Sequence, residues 1–258
     1  MPKASGLEIE IMSEIKECVR KGVKDLWGAR LVRGANWTPA GNPVVATTMA
    51  EPPSAVVGWR EARRIHRERL GADDAGYCVH ALVHTYTDDQ NFDGARSGIW
   101  ADFDGFVEVV RHFEGVCVDP STYADMPEPV LRWQVYRMRA LEFALARAGV
   151  PVIVNARWGT RETWHYTIDE LPEGSMLAIG TVASGLKRLE NRPAFETGLR
   201  RILELKNPTH LVVVGSASLP VFDDVRAHGV NVVQFEGETS VALNARKLCA
   251  SEAGDDDE

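Results

Sequence analysis

Cysteine is scarce in this chain. Four thiols (Cys18, Cys78, Cys117 and Cys249) are spread over 258 residues, with no C-x-x-C pair and no zinc-ligand spacing. That excludes a disulfide scaffold and reads as reduced, mostly buried cysteines of a cytoplasmic protein. A long hydrophobic run is also missing. No stretch reaches the roughly 18 apolar residues of a membrane-spanning helix, and Met1 to Glu10 lacks the basic-then-apolar pattern of a signal peptide. The expectation is a cytoplasmic protein that does not enter a membrane. Excess positive charge is absent too. The net charge is -8, with Glu252, Asp255, Asp256, Asp257 and Glu258 crowded at the C-terminus; without those five the rest carries only -3. A mildly acidic body disfavours a surface that coats nucleic acid, without excluding a local basic groove. No glycine-rich dinucleotide turn appears. The strand-following run Gly180 to Lys187 fails the P-loop spacing, although its backbone amides can still hold an anion.

What is present is an alternation of element types. Ile11, Ile15, Val19, Val23 and Leu26 predict a helix over 7–26. Residues 28–54 read as a loop-rich connection with one short strand at Val44–Thr47. Val56-Val57 begins a strand, and Arg60–Leu70 is a charged helix. Further strands are expected at Tyr77–Thr85, Gly115–Val118, Val152–Asn155, Met176–Gly180, His210–Val214 and Val230–Phe235. Helices fall between them at Phe103–Phe113, Glu128–Ala148, Ala194–Lys206 and Leu219–Ala227, with an irregular piece through Leu171. On the long helix Leu131, Val135, Met138, Leu141 and Leu145 form one face, with Arg132, Arg139 and Arg147 largely off it.

Strands alternating with helices imply an α/β fold with a mainly parallel sheet and right-handed crossovers. Two architectures fit: a (β/α) barrel, complete or partial, and an open doubly wound sheet. Even strand spacing favours the barrel. The expected organisation is an N-terminal helix and loop-rich extension (1–54) packing on an α/β domain (55–240), followed by a short segment ending in a disordered acidic tail (241–258).

In such folds ligands sit at the C-terminal strand edge. There the sequence places His84, then Asp119 with Tyr123 and Asp125, then Asn155, Arg157 and Trp158, then Thr181. Arg157 can grip a phosphate or carboxylate through two donors. Trp158 offers a flat stacking surface. Tyr123, Asn155, Thr181 and His84 complete the binding set. Asp119 or Asp125 can serve as general base or hold a divalent metal ion. The plainer reading stands beside this: turn-forming aspartates, an Arg–Asp pair locking two loops, and a tryptophan plugging the core. His80 and His84 share a strand face but lie about 13 Å apart along it, too far to share one ion.

The string Asp119-x-Ser121-x-Tyr123-x-Asp125-Met126-Pro127, then Arg137, then Val-Ile-x-Asn155-x-Arg157-Trp158, resembles the DUF4417 family. So do Pro172-x-Gly174-Ser175-x-x-Ala178-x-x-Thr181 and, upstream, Val57-Gly58-Trp59, Val83-His84 and Asp88-Asp89-x-x-Phe92. The resemblance spans about residues 50–240. It departs at Pro120, where the family tends to have an aromatic, and at Val154, where it tends to have proline. It implies a single domain in a phage or mobile-element context and no particular activity.

Three functions stay open. The favoured one is an enzyme binding a small anionic ligand, a nucleotide or sugar phosphate, for hydrolysis or group transfer. The second is a non-catalytic factor that binds a host or phage protein. The third, a nucleic-acid binder, rests on Arg60, Arg63, Arg64, Arg67 and Arg69 along one helix and is disfavoured by the acidic body.

Overall fold

A computed structural model describes residues 25–87, 89–95, 98–120, 126–182, 186 and 188–237. Residues 7–24 of the helix expected over 7–26, the residues Asp88, Tyr123 and Asp125, half of the Gly180–Lys187 run, and the tail after 240 lie outside the described residues. In chain order the elements are β1 (Val56–Gly58), α1 (Trp59–Gly71), β2 (Val79–His84), α2 (Asp89–Asp93), α3 (Phe103–Val110), β3 (Phe113–Cys117), α4 (Glu128–Arg147), β4 (Val154–Asn155), α5 (Trp164–Thr167), β5 (Met176–Gly180), α6 (Arg192–Lys206), β6 (His210–Val214), α7 (Val221–Ala227) and β7 (Asn231–Phe235).

Local chemistry sets several boundaries. Asp102 starts α3 by accepting from the Gly105 amide at 3.1 Å. Prolines occupy the first turns of α4 and α6, where a missing N–H costs nothing. Gly149 at φ 80° and Asn207 at φ 43° turn the chain out of those helices through the left-handed region.

Every strand pairing is parallel. The ladders run β1-β2-β3 and β4-β5-β6-β7. A parallel bridge between Val116 and Val152 links them, with Val116 N donating to Pro151 O at 2.9 Å and Ile153 N to Val116 O at 3.0 Å. The seven strands therefore lie side by side in sequence order. A doubly wound sheet reverses its order at a switch point, and no such reversal occurs among the described strands. No pairing between β7 and β1 closes the array among the described residues.

Strand alternation sends side chains into three clusters. Val83, Val116 and Val118 pack outward on α3 and α4. Val154, Leu177, Ile179, Leu211 and Val213 pack outward on α6 and α7. The opposite face gathers Leu82, Cys117, Ile153, Met176, Ala178 and Val212, with Val56 of β1 and Phe235 of β7 packed against the same cluster. Strands covered on both faces explain the continuously apolar runs.

Three local expectations change. Val44–Thr47 forms no named strand. Instead Thr47 and Thr48 stitch the neighbouring backbone: the Thr47 hydroxyl donates to Met176 O (2.6 Å) and accepts from Val154 N (3.0 Å), and Thr48 Oγ1 accepts from Val152 N (2.8 Å). Arg139, expected off the apolar face of α4, is only 2% exposed, because it pairs with the equally buried Glu142 one turn on. Of the two described cysteines Cys117 is buried, but Cys78 is exposed.

Candidate functional site

β2, β3, β4 and β5 deliver their C-terminal ends to one edge, and the polar groups there form a connected network. Past the last residue of β2, the Thr85 hydroxyl accepts from Asp119 N at 2.6 Å and donates to Asp119 O at 3.1 Å, extending the strand pairing by one step. Asp119 is thereby fixed at the end of β3, 2% exposed. Its Oδ2 accepts from both Nε (2.9 Å) and Nη2 of Arg157. Arg157 Nη1 donates to Gly180 O of β5 at 3.1 Å. The guanidinium carries five N–H donors, so two remain after these three bonds among the described residues, on a side chain that keeps 17% exposure.

Tyr86 underlies this arrangement, and the sequence reading passed it over. The Arg157 guanidinium carbon lies 5.2 Å from the Tyr86 ring centre, and His84 stacks on the same ring at 5.4 Å. The Tyr86 hydroxyl donates to Asn155 Oδ1 at 2.9 Å and sits 3.4 Å from the Cys117 sulfur. Gly180 makes room for the ring, since a Cβ there would fall 2.7 Å from it. The available signal was strand period: two residues past His84, Tyr86 returns to the same side of the chain.

Of the expected residues, His84, Asp119, Asn155 and Arg157 come together. Asn155 is fully enclosed and its amide is spent, donating to Val118 O at 2.9 Å and accepting from Tyr86. It braces the edge from beneath. Its backbone is gripped by the buried pair on α4: Glu142 accepts from Asn155 N at 2.8 Å, and Arg139 donates to Asn155 O at 3.0 Å. Trp158 turns the other way. Its indole lies over Gly198 of α6, tilts against Phe195 at 5.3 Å and donates to Ala194 O at 3.3 Å. The aromatic surface beside Arg157 is Tyr86. Thr181 sits past β5, its hydroxyl donating to Ser216 O at 3.0 Å.

Burial shapes the electrostatics. His84 is 3% exposed, its Nδ1 has no hydrogen-bond partner among the described residues, and its pKa is pushed down to about 4, so the ring is neutral at pH 7. Burial raises the Tyr86 phenol well above its usual value, with the Cys117 thiol adding to the shift. For Arg157, burial pulls downward, but Asp119 and Tyr86 outweigh it and the net shift is upward. Among the described residues, no three His, Cys, Asp or Glu side chains gather as a metal-ligand group. On α1 the arginine stripe is partly neutralised: Arg64 pairs with Glu61 and Glu68, and Arg69 with Asp74 at 3.2 Å. Among the described residues, no helix is long and apolar enough to cross a membrane.

Residues 40–236 match the family model described as Domain of unknown function (DUF4417). The chain belongs to the DUF4417 family. Two curated relatives are similar to it over 165 residues, 63% of this chain: the Gene 1 protein of Mycobacterium phage D29 (26% identical) and the Gene 1 protein of Mycobacterium phage L5 (27% identical). The aligned part spans 56% and 66% of those relatives' own lengths. No solved structure matches. In this DUF4417 chain the matched residues contain all seven strands and every edge residue placed above.

Proposed function

We propose that this protein binds a small anionic ligand, of the nucleotide or sugar phosphate class, at the C-terminal edge of its strands, with Arg157 holding the anion. One observation carries the reading: a guanidinium positioned by Asp119, Gly180 O and the Tyr86 ring, partly exposed, with two donors uncommitted among the described residues. Fixed, partly desolvated arginines suit phosphate and carboxylate recognition. We read the strand array as a partial barrel. The sequential strand order and the shared cluster of Val56 and Phe235 support that reading. The phage relatives favour a phage or mobile-element setting.

If a reaction follows, hydrolysis or group transfer suits the groups present. An incoming anion competes with Asp119 for the guanidinium, and a carboxylate released from that pair is a general base beside the bound ligand. His84, neutral and with a ring nitrogen that has no partner among the described residues, is a second group for the ligand to meet.

The test is a thermal-shift panel of nucleotides and sugar phosphates on wild type and Arg157→Lys, which keeps a cation opposite Asp119 but loses the fork. Saturation near a hundred times Kd stabilises by about 2.7 kcal/mol, or roughly 5–10 °C for a chain of this size. The lysine variant is expected to fold and lose most of that shift. An equal shift in the variant, or no shift in wild type across the panel, overturns the proposal.

A further inference from the structure

A second cleft lies away from the strand edge, between α1 and α3, with a volume of about 290 Å³. That is at the small end for ligand pockets. Trp59 and Phe106, both buried and packed edge to face at 4.8 Å, are among its lining residues. Arg63 and Arg67, one helical turn apart on α1, line one side; Asp102 and Glu108 line the other.

The charges on the two sides do not meet. Arg63 lies over the Trp59 ring at 5.7 Å, and neither it nor Arg67 forms an ion pair among the described residues, unlike Arg64 and Arg69 on the same helix. Asp102 spends Oδ1 on capping α3, and Glu108 approaches Arg111 only to 3.6 Å, too far for a hydrogen bond. Two guanidinium groups thus lack carboxylate partners among the described residues on one side of an apolar floor, and carboxylates line the other.

We propose that this cleft binds a small zwitterion with an apolar body, of the α-amino-acid class. The ligand carboxylate takes Arg63 and Arg67. Its ammonium group faces Asp102 and Glu108, and its side chain rests on Trp59 and Phe106. A simple anion leaves the acidic wall unmatched, and a simple cation leaves the arginines unmatched.

Calorimetric titration of the full chain with L-phenylalanine tests this, beside hydrocinnamate, which lacks the ammonium, and phenethylamine, which lacks the carboxylate. Phenylalanine is expected to bind at least about tenfold tighter than either truncated probe. Arg67→Gln and Glu108→Gln, both at exposed positions where folding is not at risk, should each weaken phenylalanine by about tenfold. Hydrocinnamate binding as tightly as phenylalanine overturns the zwitterion assignment. Binding indifferent to both variants, or none by phenylalanine or leucine up to about 10 mM, overturns the site. The strand-edge proposal is independent, because Arg157→Lys leaves this cleft untouched.

Discussion

His84 makes the stability of this protein steeply dependent on pH on the acid side. The residue ends β2, is 3% exposed, stacks on Tyr86 and has no partner for Nδ1 among the described residues. Protonation would put a charge and a second N–H donor into a site that solvates neither. Burial accordingly lowers its pKa from 6.5 to about 4. Between those values the unfolded chain binds the proton and the folded chain does not, so unfolding becomes easier as pH falls. The contribution is fully present above pH 6.5 and is lost progressively down to pH 4. It amounts to about 2 kcal/mol lost by pH 5 and about 3 kcal/mol in total. In melting temperature the loss by pH 5 is roughly 4–8 °C. Carboxylates titrate near the lower end of the same window, so the informative quantity is a difference of differences. The drop in Tm from pH 7 to pH 5 is measured for wild type and for His84→Asn, and the wild type should fall further by that amount. Parallel falls, or an NMR titration placing the His84 ring near 6.5, would refute the argument. Saturating phosphate-bearing ligand should shrink the wild-type drop, because an anion beside His84 favours its protonated form.

Three further outcomes follow from the same network. Tyr86→Phe keeps the ring under Arg157 but removes the only hydrogen bond that buried Asn155 Oδ1 accepts among the described residues, costing about 1–3 kcal/mol in urea unfolding while ligand shifts persist. Gly180→Ala drives a methyl to 2.7 Å from the Tyr86 ring; overpacking should cost about 1–3 kcal/mol, and displacing the ring should also weaken ligand binding, so an unchanged Tm would contradict the packing described. Trp158→Phe should lower Tm by several degrees and leave ligand shifts intact, because the indole packs on α6 and not beside Arg157; lost binding at unchanged Tm would return Trp158 to the site.

The elements were legible in the sequence where hydrophobic period was strong. The strands Met176–Gly180 and His210–Val214 fall where the apolar runs lie, and α4 begins at the expected residue and ends one short. Parallel pairing followed from the alternation itself. Side-chain direction past a strand end was harder. Asn155, Arg157 and Trp158 fall within four residues of one motif, yet Trp158 goes to the helix side and Arg157 to the edge. Tyr86 was missed because its role depends on a glycine on another strand and an arginine 71 positions away in the chain, contacts no local pattern records. The buried place of Arg139 was invisible for a related reason. A charge on a helix reads as solvent-facing until its partner and the backbone it serves are known.

That backbone is what makes the edge rigid. β4 is only two residues long and is joined to β3 by one bridge at Val152, so ladder hydrogen bonds alone hold it weakly. Its remaining amides and carbonyls are taken up from outside the sheet: Thr47 and Thr48 serve Val154 N and Val152 N, and the Arg139–Glu142 pair serves both backbone groups of Asn155. A buried ion pair is a poor source of net stability, since desolvating its charges costs about as much as their attraction returns. Its position supplies a better reason for its presence. It clamps the chain two residues before Arg157, while Asn155 ties the same point to Val118 O and Tyr86. Arg157 therefore leaves a backbone fixed from three directions and meets Asp119, Gly180 and Tyr86 with little freedom left to lose. Preorganisation of that kind lowers the entropic cost of gripping an anion. It is hard to account for if Arg157 merely tied two loops together, because Asp119 alone would serve that purpose.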